Sequence, residues 1–468
     1  MTARVWTARV FHCYPTLVIL NGLLLVCSVT RADIWSTAYY PGWTQSAMPA
    51  SNVDFTAVSH VIHFSVVPNS NGTLNSNINV LPVANSTDVV TRAHAAGRKV
   101  LISVGGGGSQ SGFQGATTAA NRPTFITNLV NFMTARGYDG IDLDWEPLPS
   151  TDFAQWTNLV NSLRSALNGF SPPKLLTVAA GAYPPYGDSP TAHYLMYAAL
   201  QSQFDQINIM TYDLSGAYDG WITWFNAPIY DGGTRFVSTG ALVPSTDGAV
   251  SNFISKGVAP AKLGIGIAFY GYVWSGGTGT STGGAAQPRQ SWTTAPTNTT
   301  PSYDSIMTSY YQANLYHWDT NAQSAYLSLD NSGSVNDKFI SYDDEHACQA
   351  KVSYARNRGL GGVMIWELGS GYRPGQPIGQ RDPLLQAVKH SLATPRFVGI
   401  QRSSQNIQLD FTGLPLANYR VQWASNLPPN VWHTLTNNVP GTNGTLRITD
   451  SGAITNAAKR FYRIQTPP

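Results

Sequence analysis

The chain has 468 residues, of which 43% are hydrophobic and only 11% charged, with a formal net charge of +3. That length holds one large domain with a small one, or two to three average ones, and the apolar share supplies a sizeable core. No Lys/Arg cluster forms the basic stripe that nucleic acids require, so no nucleic-acid partner is expected.

In chain order, Arg4 and Arg9 precede an apolar run from Leu17 to Val29, followed by Thr30-Arg31-Ala32. Small residues stand at the two positions a signal peptidase reads, so residues 1–32 are expected to be a secretory signal cleaved after Ala32. The expected location is extracellular, with no membrane contact after cleavage. The apolar run is short for a membrane span and is interrupted by Asn21 and Gly22, although an uncleaved anchor is the alternative. Cys13 and Cys27 leave with the signal, and Cys348 alone permits no intrachain disulfide. Cys348 lies in a helical pattern and reads as a small buried hydrophobe.

Eight strands are predicted: Ser36–Trp43, Ser59–Val67, Arg98–Gly106, Tyr138–Glu146, Leu175–Tyr183, Phe204–Asp213, Lys262–Tyr272 and Gly359–Leu368. Helical patterns fall at Thr87–Ala96, Arg122–Arg136, Asp152–Leu167, Ala249–Lys256, Asp344–Arg358 and Pro383–Leu392. Strands apolar on both faces, alternating with helices, predict an α/β TIM (β/α)8 barrel, with a doubly wound sheet as the runner-up. Residues 274–338 are too long for a simple connection and read as a small α+β insertion between strands seven and eight. From residue 395 to 468 the runs "NIQLDF", "YRVQWA", "TLRIT" and "RFYRIQ" predict a small C-terminal all-β domain.

The stretch "YDGIDLDWEP", Tyr138 to Pro147, carries too many acids for an ordinary buried strand. Side chains alternate, so Asp142, Asp144 and Glu146 share one face, and Ile141, Leu143 and Trp145 the other. In a barrel the acids point inward, about 7 Å apart along the strand. Carboxylates so placed cannot all ionise freely, and at least one pKa must rise. Glu146 sits at the strand's C-terminal end, where barrel active sites lie, and a proton-carrying acid there suits general acid catalysis. A surface or capping role explains one such acid more easily than three. Bound Mg²⁺ or Ca²⁺ is the other rival, but no His/Asp cluster on neighbouring strands completes a shell, so no metal or other cofactor is expected. Asp139 has the wrong parity and reads as structural.

"DGIDLDWE" resembles the DGxDxDxE signature of glycoside hydrolase family 18, the chitinase family. "YYPGW" (Tyr39 to Trp43), "ISVGG" (Ile102 to Gly106), "MTYD" (Met210 to Asp213) and "GLGGVMIWEL" are similar to that family's first, third, sixth and eighth strands. "WDTNAQSAY" and "FISYDDE" resemble its insertion. The resemblance covers about Asp33 to Leu392, which makes 33–394 the expected catalytic domain.

The resemblance implies substrate-assisted catalysis, for which this family is a recognised exception to the two-carboxylate rule. Glu146 is then the proton donor and Asp144 stabilises the cation formed by the sugar's own 2-acetamido group. Asp142 orients Asp144, and Tyr212 aligns the acetamido carbonyl. Met210, Asp213, Tyr39, Tyr270 and Trp366 are the implied substrate-binding residues, with Trp366 as the apolar floor. The implied function is a secreted, retaining chitinase acting on β-1,4 N-acetylglucosaminide bonds of chitin or chito-oligosaccharides. An endo-β-N-acetylglucosaminidase acting on N-glycans and a non-catalytic chitin-binding lectin are the alternatives, and a monomer is expected.

Departures from the pattern bear on outer subsites. Tyr-Gly-Arg is replaced by Tyr270-Gly271-Tyr272, the acids expected after Trp366 are missing from "ELGSGY", and Gly107 stands for an aromatic. Trp43, Trp221, Trp224 and Trp274 follow barrel strands and are read equally as sugar platforms or packing. The tail resembles small fibronectin-like modules. Its Trp423, Trp432 and Tyr462 read as core residues, with polysaccharide binding as the alternative.

Overall fold

The computed structural model describes residues 16–20, 23–27, 34–393, 395–412, 418–425, 429, 431–441, 445–453 and 460–465. The chain divides into two compact units, Ile34–Ser391 and Met1–Asp33 together with Leu392–Pro468.

In the larger unit eight parallel strands close on themselves: β1 Trp35–Pro41, β2 His60–Pro68, β3 Lys99–Gly106, β4 Gly140–Trp145, β5 Leu175–Gly181, β6 Gln206–Met210, β7 Leu263–Ala268 and β8 Gly362–Trp366. β1 pairs with both β2 and β8, which completes the TIM barrel and rules out the open doubly wound sheet. The helices include α1 Val83–Ala95, α2 Arg122–Ala135, α3 Phe153–Asn168, α4 Pro190–Leu200, α5 Thr246–Ser255, α6 Glu345–Asn357 and α7 Pro383–Leu392. α4 has no counterpart in the predicted elements. Its buried residues His193, Tyr194, Met196, Tyr197 and Leu200 keep helical spacing, but Leu195 and Ala199 on the exposed side are apolar too, so no polar face marks the period in the sequence.

Strand parity holds on β4. Trp145 points outward, stacked on Phe113 at 4.6 Å and edge-on to Trp156 of α3 at 6.2 Å. The barrel floor is polar, contrary to the expectation of apolar interior faces. Thr37 donates to Gln206 Oε1 (2.6 Å), Trp35 Nε1 to Asn208 Oδ1 (3.1 Å) and Asn208 Nδ2 to Gln206 Oε1 (3.2 Å). Each buried donor there meets an acceptor, so the layer is tolerated. Gly362 of β8 leaves room for the Trp35 ring, which any Cβ would strike.

Between β7 and β8 an antiparallel sheet runs in the order Thr297–Thr299, Gly271–Ser275, Lys338–Tyr342, Ser324–Leu329, Tyr316–Asp319, with a helix at Tyr303–Ser309. Trp224 and Trp274 are fully buried in its core with Phe225 and Phe339, and their indole N–H groups donate to Pro244 O and Trp224 O. These two tryptophans therefore pack and are not sugar platforms. Trp43 is 45% exposed, and Trp221 is half-buried against Phe236 and Tyr218. Directly after the insertion, Asp343 and Lys351 form an ion pair with both side chains buried, and Asp343 also accepts the Ala268 N–H at the end of β7 (3.1 Å). Cys348, on the same helix as Lys351, is free and buried.

The smaller unit is all β. Arg396–Ser403, Asn406–Thr412 and Thr445–Asp450 form one sheet. His433–Pro440, Asn418–Ala424 and Phe461–Gln465 form another, extended by a hairpin of Thr16–Leu20 and Leu23–Cys27. The rest of the expected leader, including its cleavage point at Ala32, lies outside the described residues. Leu409, Phe411, Tyr419, Val421 and Tyr462 make the core. Trp423 is half-buried, with His433 stacked on it and Arg460 3.8 Å from its ring centroid, and Arg463 covers Trp432 at 4.3 Å. Arg396–Ser403 and His433–Pro440 were not among the predicted strands, since both alternate weakly between polar and apolar.

Candidate active site

The carboxyl ends of the strands bring the acidic row together with residues from all round the barrel. Asp142 is completely buried. It accepts hydrogen bonds from Tyr39 of β1 (2.9 Å), Ser103 of β3 (3.1 Å) and Thr177 of β5 (2.6 Å). Burial raises its pKa to about 6 despite these three donors, which favour the charged form. Ser103 and Thr177 escape a reading of the sequence, because only the closed barrel brings them to Asp142.

Asp144 is 3% exposed. Its pKa lies well above the ordinary carboxyl value, first through burial, then through the charges of Glu146 and Asp142. Glu146 is half-buried and also raised, mainly by burial, with the charge of Asp213 adding to the effect. A hydrogen bond between Asp144 and Glu146 raises the first and lowers the second. The two therefore titrate as a pair and not as independent groups. Asp144 Oδ1 is buried and finds no hydrogen-bond partner among the described residues.

Local backbone makes room for this row. β3 ends in Gly105 and Gly106, both at positive φ (109° and 112°). A Cβ on Gly105 would collide with the Asp144 carbonyl, and one on Gly106 would sit 2.6 Å from Phe64 Cζ. Only glycine fits there.

Tyr212 is buried against Gly266 of β7, where a Cβ would lie 2.7 Å from its ring. Among the described residues its hydroxyl has one weak partner, Met364 Sδ at 3.7 Å. Burial and the surrounding carboxylates hold that phenol protonated as a donor. Trp366 ends β8 half-buried, edge-on to Tyr39 (5.3 Å) and Phe64 (4.9 Å). Phe64 is a floor residue that the predicted elements did not single out, although it stands at an inward position near the end of β2. Met210 packs half-buried against the same cluster. Tyr39 is 1% exposed with its hydroxyl spent on Asp142, so it supports the acidic row from beneath more than it lines a wall. Tyr270 donates to Asp213 Oδ1 at 2.5 Å. Asp139 ties down the other end of β4, accepting from Val100 N (2.9 Å), Lys99 Nζ (3.1 Å) and His94 Nε2 (2.7 Å).

A closed (β/α)8 barrel with coupled carboxylates at the carboxyl ends of its strands defines the class of this protein. The profile of Glycosyl hydrolases family 18 matches residues 36–371, and the chain belongs to that family. It is 33% identical over 300 residues to chitinase A1 of Niallia circulans, covering 58% of this chain and 40% of that protein. It is 27% identical over 369 residues to a class V chitinase of Arabidopsis thaliana, covering 74% of this chain and 89% of the relative. In fold it matches the Group IV chitinase of Ostrinia furnacalis in complex with allosamidin, with a TM-score of 0.65 at 22% identity, over 76% of this chain and 98% of that one.

Proposed function

We propose that this chain is a secreted chitinase that hydrolyses β-1,4 N-acetylglucosaminide bonds by substrate-assisted, retaining catalysis. The observation that carries the reading is a matched pair of unspent polar groups. Among the described residues Asp144 Oδ1 is a buried acceptor without a partner, and the Tyr212 hydroxyl is a donor facing only a thioether. An acetamido group offers one N–H and one carbonyl, which complements them. A buried polar atom left unpaired is costly, so a ligand that satisfies both gains affinity and orientation together. The chitinases among the relatives and the intact "MTYD" support the same substrate class over N-glycans.

In this mechanism Glu146 protonates the glycosidic oxygen. The acetamido carbonyl, aligned by Tyr212, attacks the anomeric carbon as the bond breaks. Asp144, ionised while Glu146 carries the proton, accepts the acetamido N–H and balances the oxazolinium charge. Water then opens that ring with Glu146 as base, and the anomeric configuration is retained. The leader at 1–32 would direct export, and the module from 395 onward would be a separate spacer or attachment unit. Incubation with soluble chito-oligosaccharides tests the reading. Cleavage is expected, and binding without cleavage from acid to neutral pH would favour a lectin.

Two substitutions probe the row. Tyr212→Phe removes the hydrogen bond that holds the acetamido carbonyl in line for attack on the anomeric carbon. It should lower kcat by about 10- to 100-fold with a smaller change in KM, and an unchanged kcat would remove Tyr212 from the alignment role. Asp142→Asn removes a negative charge that raises the Asp144 pKa. The pair should then lose its proton at lower pH, so the alkaline limb of the kcat/KM profile should move toward acid. A limb that stays in place would separate Asp142 from the proton-holding pair.

A further inference from the structure

Strand β6 ends at Met210, the last of its residues to pair with a neighbouring strand, so Tyr212 stands beyond the reach of the sheet ladder. Two other contacts hold its backbone. On the near side Thr211 exchanges hydrogen bonds with Gly266 of β7, its Oγ1 donating to the carbonyl (3.1 Å) and accepting the N–H (2.8 Å). On the far side Asp213 adopts left-handed backbone (φ 56°), which residues other than glycine rarely do. Its N–H donates to Asn226 Oδ1 at 2.9 Å. The next N–H, that of Leu214, donates to the Asn226 carbonyl, also at 2.9 Å. One asparagine thus receives both N–H groups that follow Tyr212.

Asn226 is 1% exposed. Its own N–H donates to Ser341 Oγ at 2.9 Å, and Ser341 is fully buried on the Lys338–Tyr342 strand of the insertion. The residues on either side of Asn226 belong to different cores. Phe225 packs with Trp224, Trp274 and Phe339 in the insertion, and Ala227 packs with Tyr39, Tyr212 and Tyr270 at the barrel mouth. Asn226 Nδ2 is buried and has no hydrogen-bond partner among the described residues. The Asp213 N–H needs an acceptor, which fixes the face that the amide presents. An aliphatic side chain would fill the same space without an unpaired buried donor, whose cost is real. What the asparagine side chain supplies is therefore the acceptor for Asp213.

The Tyr212 ring lies against Gly266, and among the described residues its hydroxyl meets only Met364 Sδ. No strong side-chain bond aims the phenol, so its direction is inherited from the backbone. We infer that Asn226 is a positioning residue for the reaction. It sets the turn at Asp213 and so aims the Tyr212 hydroxyl at the acetamido carbonyl, with Ser341 of the insertion as its anchor. This inference rests on the aligning role of Tyr212.

The test is a double-mutant cycle in kcat and KM on a soluble chito-oligosaccharide. Asn226→Ala should lower kcat by about tenfold, within the range that a small misplacement of an aligning group costs, with a smaller change in KM. In a Tyr212→Phe background the same substitution should cost less than about twofold, because a residue acting through Tyr212 has nothing left to aim. Asn226→Asp keeps an acceptor in place, and burial favours its neutral form at mildly acidic pH. Assayed there, it should recover most of the lost rate. Ser341→Ala should repeat the pattern with a smaller fall, and it serves in place of Asn226→Ala if that variant does not fold. An unchanged kcat in Asn226→Ala, an equal fall with and without the Tyr212 hydroxyl, or no recovery in Asn226→Asp would overturn the inference and leave the chitinase reading standing. An unchanged kcat in Tyr212→Phe alone would overturn the aligning role of Tyr212, and this inference with it.

Discussion

Glu146→Gln should lower kcat for chito-oligosaccharide hydrolysis by about 10²- to 10⁴-fold, the contribution of a positioned proton donor, and leave oligosaccharide binding nearly intact. Glutamine preserves the shape of the side chain but has no acidic proton for the leaving oxygen. The substitution also removes the charge that, after burial, does most to raise the Asp144 pKa. Asp144 then becomes a plain anion over a wider pH range and still accepts an acetamido N–H. Loss is therefore expected in kcat and not in affinity, which kcat and a binding isotherm on the same variant separate. A variant with wild-type rates would show that another group delivers the proton.

Lys351→Met should destabilise the barrel unit by about 3–5 kcal/mol, the range for removing one partner of a buried ion pair. The Lys351 side chain is wholly buried and that of Asp343 is 2% exposed, so water cannot take the place of the lost ammonium. Burial raises the Asp343 pKa and Lys351 opposes the rise. Without the lysine, the folded-state pKa climbs further above the unfolded value. The folded state then binds more protons than the unfolded one, so stability falls as pH rises. The deficit should be largest at neutral pH and shrink as pH falls toward the ordinary carboxyl value of 3.8. Urea unfolding of both proteins at neutral and acid pH checks the magnitude and the sign. Adding Asp343→Asn to the variant should recover part of the loss. Equal unfolding midpoints at neutral pH would mean that the pair adds nothing over a methionine.

The barrel was legible because its strands are buried on both sides and separated by helices, which leaves eight apolar runs in the sequence. Helix α4 was not, because a segment apolar nearly all round carries no period. The shared face of Asp142, Asp144 and Glu146 was legible through strand parity alone, while their separate roles followed only from the family resemblance. What surrounds the row depends on contacts across the closed barrel. Ser103 and Thr177 meet Asp142 from strands 39 and 35 residues away. Gly266 is needed only because the Tyr212 ring lies against it. Trp224 and Trp274 looked like rim residues because each follows a barrel strand, but the insertion folds around them and takes both into its own core. Tyr39 was placed at the correct strand end, although nothing local showed that its hydroxyl would be spent on a carboxylate.

The central claim is that the nucleophile belongs to the substrate, held by Asp144 and Tyr212 while Glu146 moves the proton. Proton NMR of the first products released from a fully acetylated chitohexaose tests it most directly. A double displacement through the acetamido group predicts that the new reducing ends appear as the β-anomer and only later equilibrate. Initial release of the α-anomer would mean that water attacks directly, and the account of this site would be wrong.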